Sequence, residues 1–216
     1  MKKLPMSLRE TMRDRIKQVL LNRILDGTYK PGDRLVEMQI AREMDTSQAP
    51  VREALRELEV MRLVESEAYR STRVREVSQH ELQESYQVRA ELEAFAARLA
   101  APLFYEDPEP LQTALASLLA AVQAKDFEQI TRHDAAFHRL IVETSGNSVL
   151  LHVWNSLAIE AWTRINVILL KQKRVNLQSL FKEHQEIADA LVQGDGTTSG
   201  ELLRKHIETA LTLEAK

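Results

Sequence analysis

From residue 78 to the end of the chain, apolar side chains recur only at the three- and four-residue spacing of α-helices. No segment of this part alternates apolar and polar residues as a half-buried strand does. Helix-breaking residues interrupt the pattern at Asp107-Pro108, at Gly146-Asn147 and at Gly194-Asp195-Gly196. The pattern predicts an all-α antiparallel helical bundle over residues 77–216. The predicted helices span residues 79–105, 108–123, 126–144, 148–171, 177–193 and 198–214.

The first 76 residues are organised differently, with three helical segments ahead of two strand-like ones. Ser7 with Glu10 three residues later is the capping-box pattern, which predicts the start of the first helix. Ser47 is a good N-cap for the third helix, and Pro50 lies in its first turn, where a missing N–H costs little. The three helices are predicted to span residues 7–26, 37–44 and 47–61.

Two short segments after the third helix, Leu63–Ser66 and Thr72–Arg75, have strand character and are separated by a predicted turn. Three helices followed by a small hairpin is the plan of a winged helix-turn-helix. We therefore predict a mainly α protein with two domains. A winged helix-turn-helix DNA-binding domain occupies residues 1–76, and the all-helical bundle follows it.

Composition narrows the class of protein further. The absence of cysteine excludes a disulfide framework and a thiolate metal site. No apolar run reaches the length of about 18 residues that a membrane helix needs, and the charged start of the chain lacks an apolar signal core. We expect a cytoplasmic protein with no membrane partner.

The charge is distributed unevenly along the chain. Residues 1–76 hold 16 Lys and Arg against 13 Asp and Glu, whereas the remainder holds 13 Lys and Arg against 19 Asp and Glu. A basic first domain suits DNA binding.

The predicted third helix has the two faces that a DNA-recognition helix needs. Gln48 and Arg52 are four residues apart and project together, and Arg56 continues the same polar side. Gln bonds adenine and Arg bonds guanine in the major groove. An alternative interpretation is a solvated face on which these arginines pair with Glu53 and Glu57. The opposite, apolar face consists of Val51, Ala54, Leu55, Leu58 and Met61.

The predicted hairpin carries further cations, because Arg73 and Arg75 alternate on its second strand and Arg70 stands at its start. These side chains are placed to reach the flanking backbone or the minor groove of DNA.

In the bundle, one Asp and three His lie on helix faces that are predicted to point inward. His138 follows Asp134 by one turn, and His184 and His206 each share a face with apolar residues. A carboxylate on such a face is costly unless it is paired or binds a metal. The set predicts a divalent metal site, with Zn²⁺ favoured and Ni²⁺ or Mn²⁺ as alternatives. Each His taken alone is more often a hydrogen-bonded core residue than a metal ligand, and His80, His133 and His152 fit the site less well.

The stretch Gly32-Asp33-Arg34-Leu35, followed by Ser47-Gln48-Ala49-Pro50-Val51-Arg52-Glu53-Ala54-Leu55, resembles the signature of GntR-type transcription regulators. The resemblance covers residues 8–76 and implies that Arg52 contacts DNA. It departs from the family at Gln48, where Arg is usual, and at Met38 and Ser71, so we expect a different base preference. The predicted DNA-binding residues are Arg34, Ser47, Gln48, Ala49, Arg52, Arg56, Arg70 and Arg73.

Residues 78–214 resemble the FCD ligand-binding domain of the FadR branch of that family, on Arg89-x-x-Leu92-Glu93, Asp134-x-x-x-His138 and the two late histidines. The resemblance implies a metal held by Asp134, His138, His184 and His206 at the floor of an effector pocket. It also implies a small organic acid as effector and a homodimer on a pseudo-palindromic operator. Arg89 is a candidate clamp for the carboxylate, or equally the partner of Glu93, and the other candidates are Arg164 and Asn166.

These features predict a ligand-responsive repressor and not an enzyme. One alternative is a DNA-binding regulator with a purely structural metal and no effector. A metal-dependent hydrolase would need a general base beside an open metal position. The chain has no His-Glu-x-x-His sequence, and Glu183 and Glu186 are expected to point away from the cluster although they flank His184.

Overall fold

The computed structural model describes residues 11–67, 71–76, 78–157 and 176–212. The chain divides into two compact units, Met1–Val77 and Ser78–Lys216. None of the helices in these described residues has the length and the apolar character needed to cross a membrane.

The N-terminal unit combines three helices with a three-stranded antiparallel sheet. The sheet order is β1-β3-β2, so that β3 is the central strand. The core lies between the first and third helices, where Ile16, Leu20, Val51 and Leu58 are completely buried. The elements are α1 (Met12–Leu25), β1 (Arg34–Leu35), α2 (Glu37–Glu43), α3 (Gln48–Val60), β2 (Val64–Glu67) and β3 (Ser71–Val74).

Two features of this unit differ from the sequence prediction. Helix α1 begins at Met12 and not near Ser7, because Thr11 is its N-cap and forms a capping box with Asp14. Strand β1 was not predicted, because two residues are too few to show any periodicity. Its pairing with β3 places Arg34 opposite Arg73, and Glu65 of β2 lies opposite Arg73 on the other side.

The C-terminal unit consists of helices in every described segment. The predicted 148–171 helix is wrong at its end, because the helix beginning at Ser148 ends at Ser156 and Leu157 is its C-cap. The last helix begins at Gly196, two residues earlier than predicted. The helices are α4 (Gln79–Glu106), α5 (Glu109–Ala124), α6 (Phe127–Thr144), α7 (Ser148–Ser156), α8 (Leu177–Val192) and α9 (Gly196–Thr212).

Helix α9 lies unusually close to α4, because small residues face each other along their contact. A Cβ atom on Gly200 would lie 2.9 Å from the backbone oxygen of Ala94, and one on Gly196 would lie 2.9 Å from that of Arg98. The side of α4 that faces inward is correspondingly rich in alanine, with Ala94 and Ala97 completely buried. Glycine is therefore required at both positions for the two backbones to approach this closely.

Candidate metal centre and nucleic-acid interface

Four side chains from three helices converge in the core of the C-terminal unit, and we call them the Asp/His cluster: Asp134 and His138 of α6, His184 of α8 and His206 of α9. All four are buried, with between 0% and 6% of their surface exposed. One potential ligand atom from each lies within 4.8 Å of the others. Such a spacing allows a single ion to contact all four.

Helix α6 positions two members of the cluster through its amphipathic sequence. Asp126 caps the helix by accepting from the backbone N–H groups of Glu128 and Gln129. The face that carries Asp134 and His138 is otherwise apolar and buried, and includes Ile130, Phe137, Ile141 and Val142. Because residues four apart project from the same side of a helix, the two polar side chains point together into the core.

The three imidazoles all use Nδ1 for a partner outside the cluster. His138 Nδ1 lies 2.5 Å from Glu93 Oε2, and His206 Nδ1 lies 2.7 Å from Glu183 Oε2. His184 Nδ1 lies 2.8 Å from the carbonyl oxygen of Leu180. Outer partners of this kind fix the orientation of metal-binding histidines, because they leave Nε2 directed at the metal.

The Nε2 atoms of His138 and His184 are buried and have no hydrogen-bond partner among the described residues. His184 Nε2 lies 2.9 Å from Asp134 Oδ1, but the two atoms are not aligned as a hydrogen bond. Buried polar atoms without partners are costly. Three imidazole nitrogens and one carboxylate oxygen are the ligand set that Zn²⁺ and similar divalent ions prefer, and the residues therefore fit a metal.

The negative charges of the buried carboxylates suit a cation, whereas the burial of His184 is outweighed by Asp134, which raises the pKa of His184, so that a proton competes with a metal for this ring. Burial raises the pKa of Glu93, but Arg89 and His138 outweigh burial and lower it to about 2. Burial also opposes the charged form of Asp134, yet the nearby His184 lowers its pKa below the usual range. Burial lowers the pKa of His206 to about 4, which keeps that ring neutral and able to act as a ligand.

Glu93 makes more contacts in this site than the sequence revealed. Its Oε1 accepts from Arg89 Nε at 2.7 Å and from Trp154 Nε1 at 2.8 Å, while its Oε2 faces His138. The spacing of Arg89 and Glu93 predicted an ion pair as one of two roles for Arg89, and the structure shows that pair. Nothing in the sequence signalled the contact to His138, since 45 residues separate the partners.

Of the other polar residues named in the sequence analysis, some contact the Asp/His cluster and others do not. The prediction that Glu183 points away was wrong, because Glu183 contacts His206. Glu186 does point away and lies 3.6 Å from Lys182. His133 is half-buried beside the cluster, whereas His80 and His152 are exposed. Arg164 and Asn166, the remaining effector candidates, lie outside the described residues.

In the N-terminal unit, α3 buries its apolar face and exposes the predicted DNA-binding residues Ser47, Gln48, Ala49, Arg52 and Arg56. Ser47 is the N-cap by backbone conformation, without a side-chain hydrogen bond. Gln48, Arg52 and Arg56 are four residues apart and lie on one side of the helix, and Ser47 precedes them as the N-cap.

The ion pairs of α3 join it to other helices and not to its own next turn. Arg52 donates from Nε and Nη2 to the carboxylate of Glu37 at the start of α2, with a shortest distance of 2.7 Å. Glu57 pairs with Arg13 at 3.0 Å and with Lys17 at 2.6 Å. The alternative of a face held together by pairs within α3 is therefore not what the structure shows for these two residues.

The sheet adds cations beside this helix within the same unit. Arg34 is exposed on β1 and lies opposite the half-buried Arg73 of β3, which donates to the carbonyl oxygen of Gly32 at 3.0 Å. Arg75 donates to the carbonyl oxygen of Arg62 at 2.8 Å. Like charges directly opposite each other are unfavourable in a sheet, and Glu65 of β2, which lies opposite Arg73 on the other side, adds a negative charge next to this pair. Arg70 lies outside the described residues.

Residues 12–74 match the family model described as bacterial regulatory proteins, gntR family, and residues 84–209 match the FCD domain model. The chain belongs to the GntR family. A related GntR-family protein, the probable D-xylose utilization operon transcriptional repressor of Paenarthrobacter nicotinovorans, is 31% identical over 207 residues, covering 96% of this chain and 90% of the relative. The transcriptional regulator LutR of Bacillus subtilis is 31% identical over 204 residues, 85% of this chain and 92% of that protein.

Solved structures agree with this assignment. The structure of E. coli McbR/YncC superposes with a TM-score of 0.75 at 25% identity, covering 94% of this chain and 96% of that one. The GntR-family protein is thus a ligand-responsive, DNA-binding transcription regulator and not an enzyme, with a winged helix-turn-helix followed by a helical FCD domain. The predictions of family, fold class and regulatory function are confirmed, and the hydrolase alternative is set aside.

Proposed function

We propose that the FCD domain binds one divalent metal ion through Asp134, His138, His184 and His206, and that the ion is Zn²⁺. The observation that carries this proposal is the buried Nε2 atom of His138, which has no hydrogen-bond partner among the described residues although it lies in the Asp/His cluster. Once bound, the ion would supply a Lewis-acidic position for an oxygen of a carboxylate effector.

Elemental analysis of untagged protein dialysed against Zn²⁺ and then against metal-free buffer tests the site. We expect about one ion per chain, because the four ligand atoms converge on a single position. His138→Asn should lower the metal content strongly. His133→Asn is the matched control, since His133 lies on the same helix outside the cluster. Wild-type protein that retains no metal would overturn the proposal.

We further propose that Arg89 binds the effector carboxylate beside the metal. The Arg89 side chain is buried, and its guanidinium lies 5.3 Å from the centre of the Tyr86 ring. Its positive charge is attracted to the negative charge of Asp134. A guanidinium offers two parallel N–H groups to a carboxylate, which an ammonium does not. Arg89→Lys should therefore keep the charge beside Glu93 while it weakens the response to the effector. An undiminished response would point to Arg164 or Asn166.

Thermal unfolding of the metal-loaded protein against a panel of organic acids tests the effector class, because a ligand of the folded state raises the melting temperature in proportion to its affinity. Gluconate belongs in the panel, since the gluconate operon transcriptional repressor of Bacillus subtilis is a relative at 27% identity. An acid that shifts the transition and also releases a DNA operator supports a ligand-controlled repressor. No shift with any acid would favour a purely structural metal.

We also propose that the protein binds a pseudo-palindromic operator as a homodimer that uses an apolar stripe on α4. The stripe consists of Val88, Phe95, Leu99 and Leu103, which lie on one side of the helix. These residues are between 37% and 48% exposed, which is unusual for four aligned large apolar side chains. A symmetric contact between two copies would bury them and place two recognition helices on two half-sites.

A further inference from the structure

Three side-chain nitrogen atoms lie within hydrogen-bond distance of the fully buried Glu93 carboxylate. Arg89 Nε and Trp154 Nε1 both donate to Oε1, at 2.7 and 2.8 Å, and His138 Nδ1 lies 2.5 Å from Oε2. None of the four residues is more than 3% exposed. Water therefore has little opportunity to replace any of these partners.

The chemistry of the three partners determines where the proton of His138 resides. An arginine guanidinium and an indole N–H donate hydrogen bonds and never accept them. A carboxylate that already accepts two such bonds has only acceptor sites to offer to His138. The imidazole must then carry a proton on Nδ1, and in the neutral ring the lone pair of Nε2 is directed into the Asp/His cluster.

We infer that Glu93 is a positioning residue that selects the metal-binding tautomer of His138. This inference rests on the proposed metal site, because the unprotonated Nε2 atom of His138 acts as a ligand only if a metal binds there. The same carboxylate contacts both His138 and Arg89, so that the proposed metal ligand and the residue proposed to bind the effector are both positioned by Glu93. A ligand that moves Arg89 would thereby disturb His138, and the coupling of the two sites would be reciprocal.

Glu93→Gln keeps the shape of this side chain but replaces one of its two acceptor oxygens by an NH₂ donor. The glutamine amide has one oxygen and one NH₂ group, and its oxygen is best placed towards the two donors, Arg89 and Trp154. The NH₂ group then faces His138 Nδ1, which has to accept. The proton moves to Nε2, where it competes with the metal. We expect a loss of about 10–100-fold in Zn²⁺ affinity, as for other outer partners of metal ligands.

Glu183→Gln is the matched control. Glu183 also faces the Nδ1 atom of a cluster histidine, His206, at 2.7 Å, but its side chain is 44% exposed. Its only hydrogen-bond partner in the described part of the chain is His206. The amide oxygen is therefore able to turn towards His206 and to preserve its tautomer. The loss of Zn²⁺ affinity should be several-fold smaller than that caused by Glu93→Gln.

Two measurements on the full chain decide the inference. The ¹⁵N chemical shifts of labelled histidines distinguish the two tautomers in metal-free protein, and His138→Asn assigns the signal. We expect Nδ1–H at His138 in the wild type and Nε2–H in Glu93→Gln. Competition titration with Zn²⁺ and a chelator gives the affinities of wild type, Glu93→Gln and Glu183→Gln, after circular dichroism has compared their folding.

An Nε2–H tautomer in the wild type would overturn the inference, and this result does not depend on whether Glu93→Gln folds. Equal affinities for Zn²⁺ in Glu93→Gln and wild type would also overturn it. Wild-type protein that binds no Zn²⁺ would instead overturn the proposed metal site, while the tautomer of His138 in metal-free protein would still be measured. The two failures are thus distinguishable.

Discussion

Gly200→Ala tests how strictly the fold depends on the contact between α9 and α4. The added Cβ atom would lie 2.9 Å from the backbone oxygen of Ala94, whereas ordinary van der Waals contact begins at 3.4 Å. The two helix backbones would have to separate by about half an ångström, because backbone atoms cannot turn aside as a flexible side chain can. Overpacking of this kind costs about 1–3 kcal/mol.

The higher helix propensity of alanine offsets about 1 kcal/mol of that cost. We therefore expect a net loss of up to about 2 kcal/mol in the free energy of unfolding, or about 2–4 °C in melting temperature for each kcal/mol. Urea unfolding followed by circular dichroism measures the change. Glu201→Ala is the control, since Glu201 is the exposed neighbour of Gly200 on the same helix and its replacement should change stability by less than about 0.5 kcal/mol.

A second measurement links the packing to the site. Helix α9 carries His206 six residues beyond Gly200, so a displaced α9 moves one of the four proposed ligands away from the other three. We expect Gly200→Ala to weaken Zn²⁺ binding and Glu201→Ala to leave it close to that of the wild type. A Gly200→Ala variant that is more stable than the wild type and binds Zn²⁺ as tightly would refute the reasoning.

Three further predictions concern other parts of the molecule. Arg52→Ala should weaken specific operator binding by about 1–3 kcal/mol at fixed salt, the usual size of a base contact, and an unchanged affinity in a fluorescence-anisotropy titration would remove Arg52 from the interface. The hydrogen bond from Thr11 lowers the pKa of Asp14 from 3.8 to about 2. Ionised Asp14 therefore stabilises the folded state when the pH is above the pKa that this group has in the unfolded chain. The stability difference between wild type and Asp14→Asn should shrink as the pH falls from about 5 to 2. Phe95→Glu should convert a dimer into a monomer in sedimentation experiments, whereas Val149→Glu, at a 70% exposed position outside the α4 stripe, should not.

Local sequence signals were sufficient to predict those parts of the fold that depend on neighbouring residues. The three helices and the hairpin of the N-terminal unit follow from caps, turns and apolar spacing. Asp134 and His138 were paired by their four-residue spacing alone, because an α-helix brings such residues to one side. His184 and His206 were selected by the apolar residues around them on their own helices, which indicated an inward direction.

Features that depend on the meeting of distant segments were not predictable in this way. Strand β1 exists because Arg34 and Leu35 pair with β3, almost forty residues later. The contact of Glu93 with His138 depends on how α4 packs against α6, and the contact of Glu183 with His206 depends on α8 and α9. Helical periodicity gives the direction of a side chain within its own helix, but it does not give the rotation of one helix against the next.

The ion pair between Arg52 and Glu37 has a consequence for attempts to redirect this regulator to new promoters. Arg52, which we predict to contact DNA, pairs with a carboxylate that belongs to the preceding helix. Grafting α3 alone from a relative would place a foreign helix beside Glu37, and the side chain at position 52 would be held only where it can pair with that carboxylate. A chimera that exchanges α2 and α3 together keeps donor and support from the same parent.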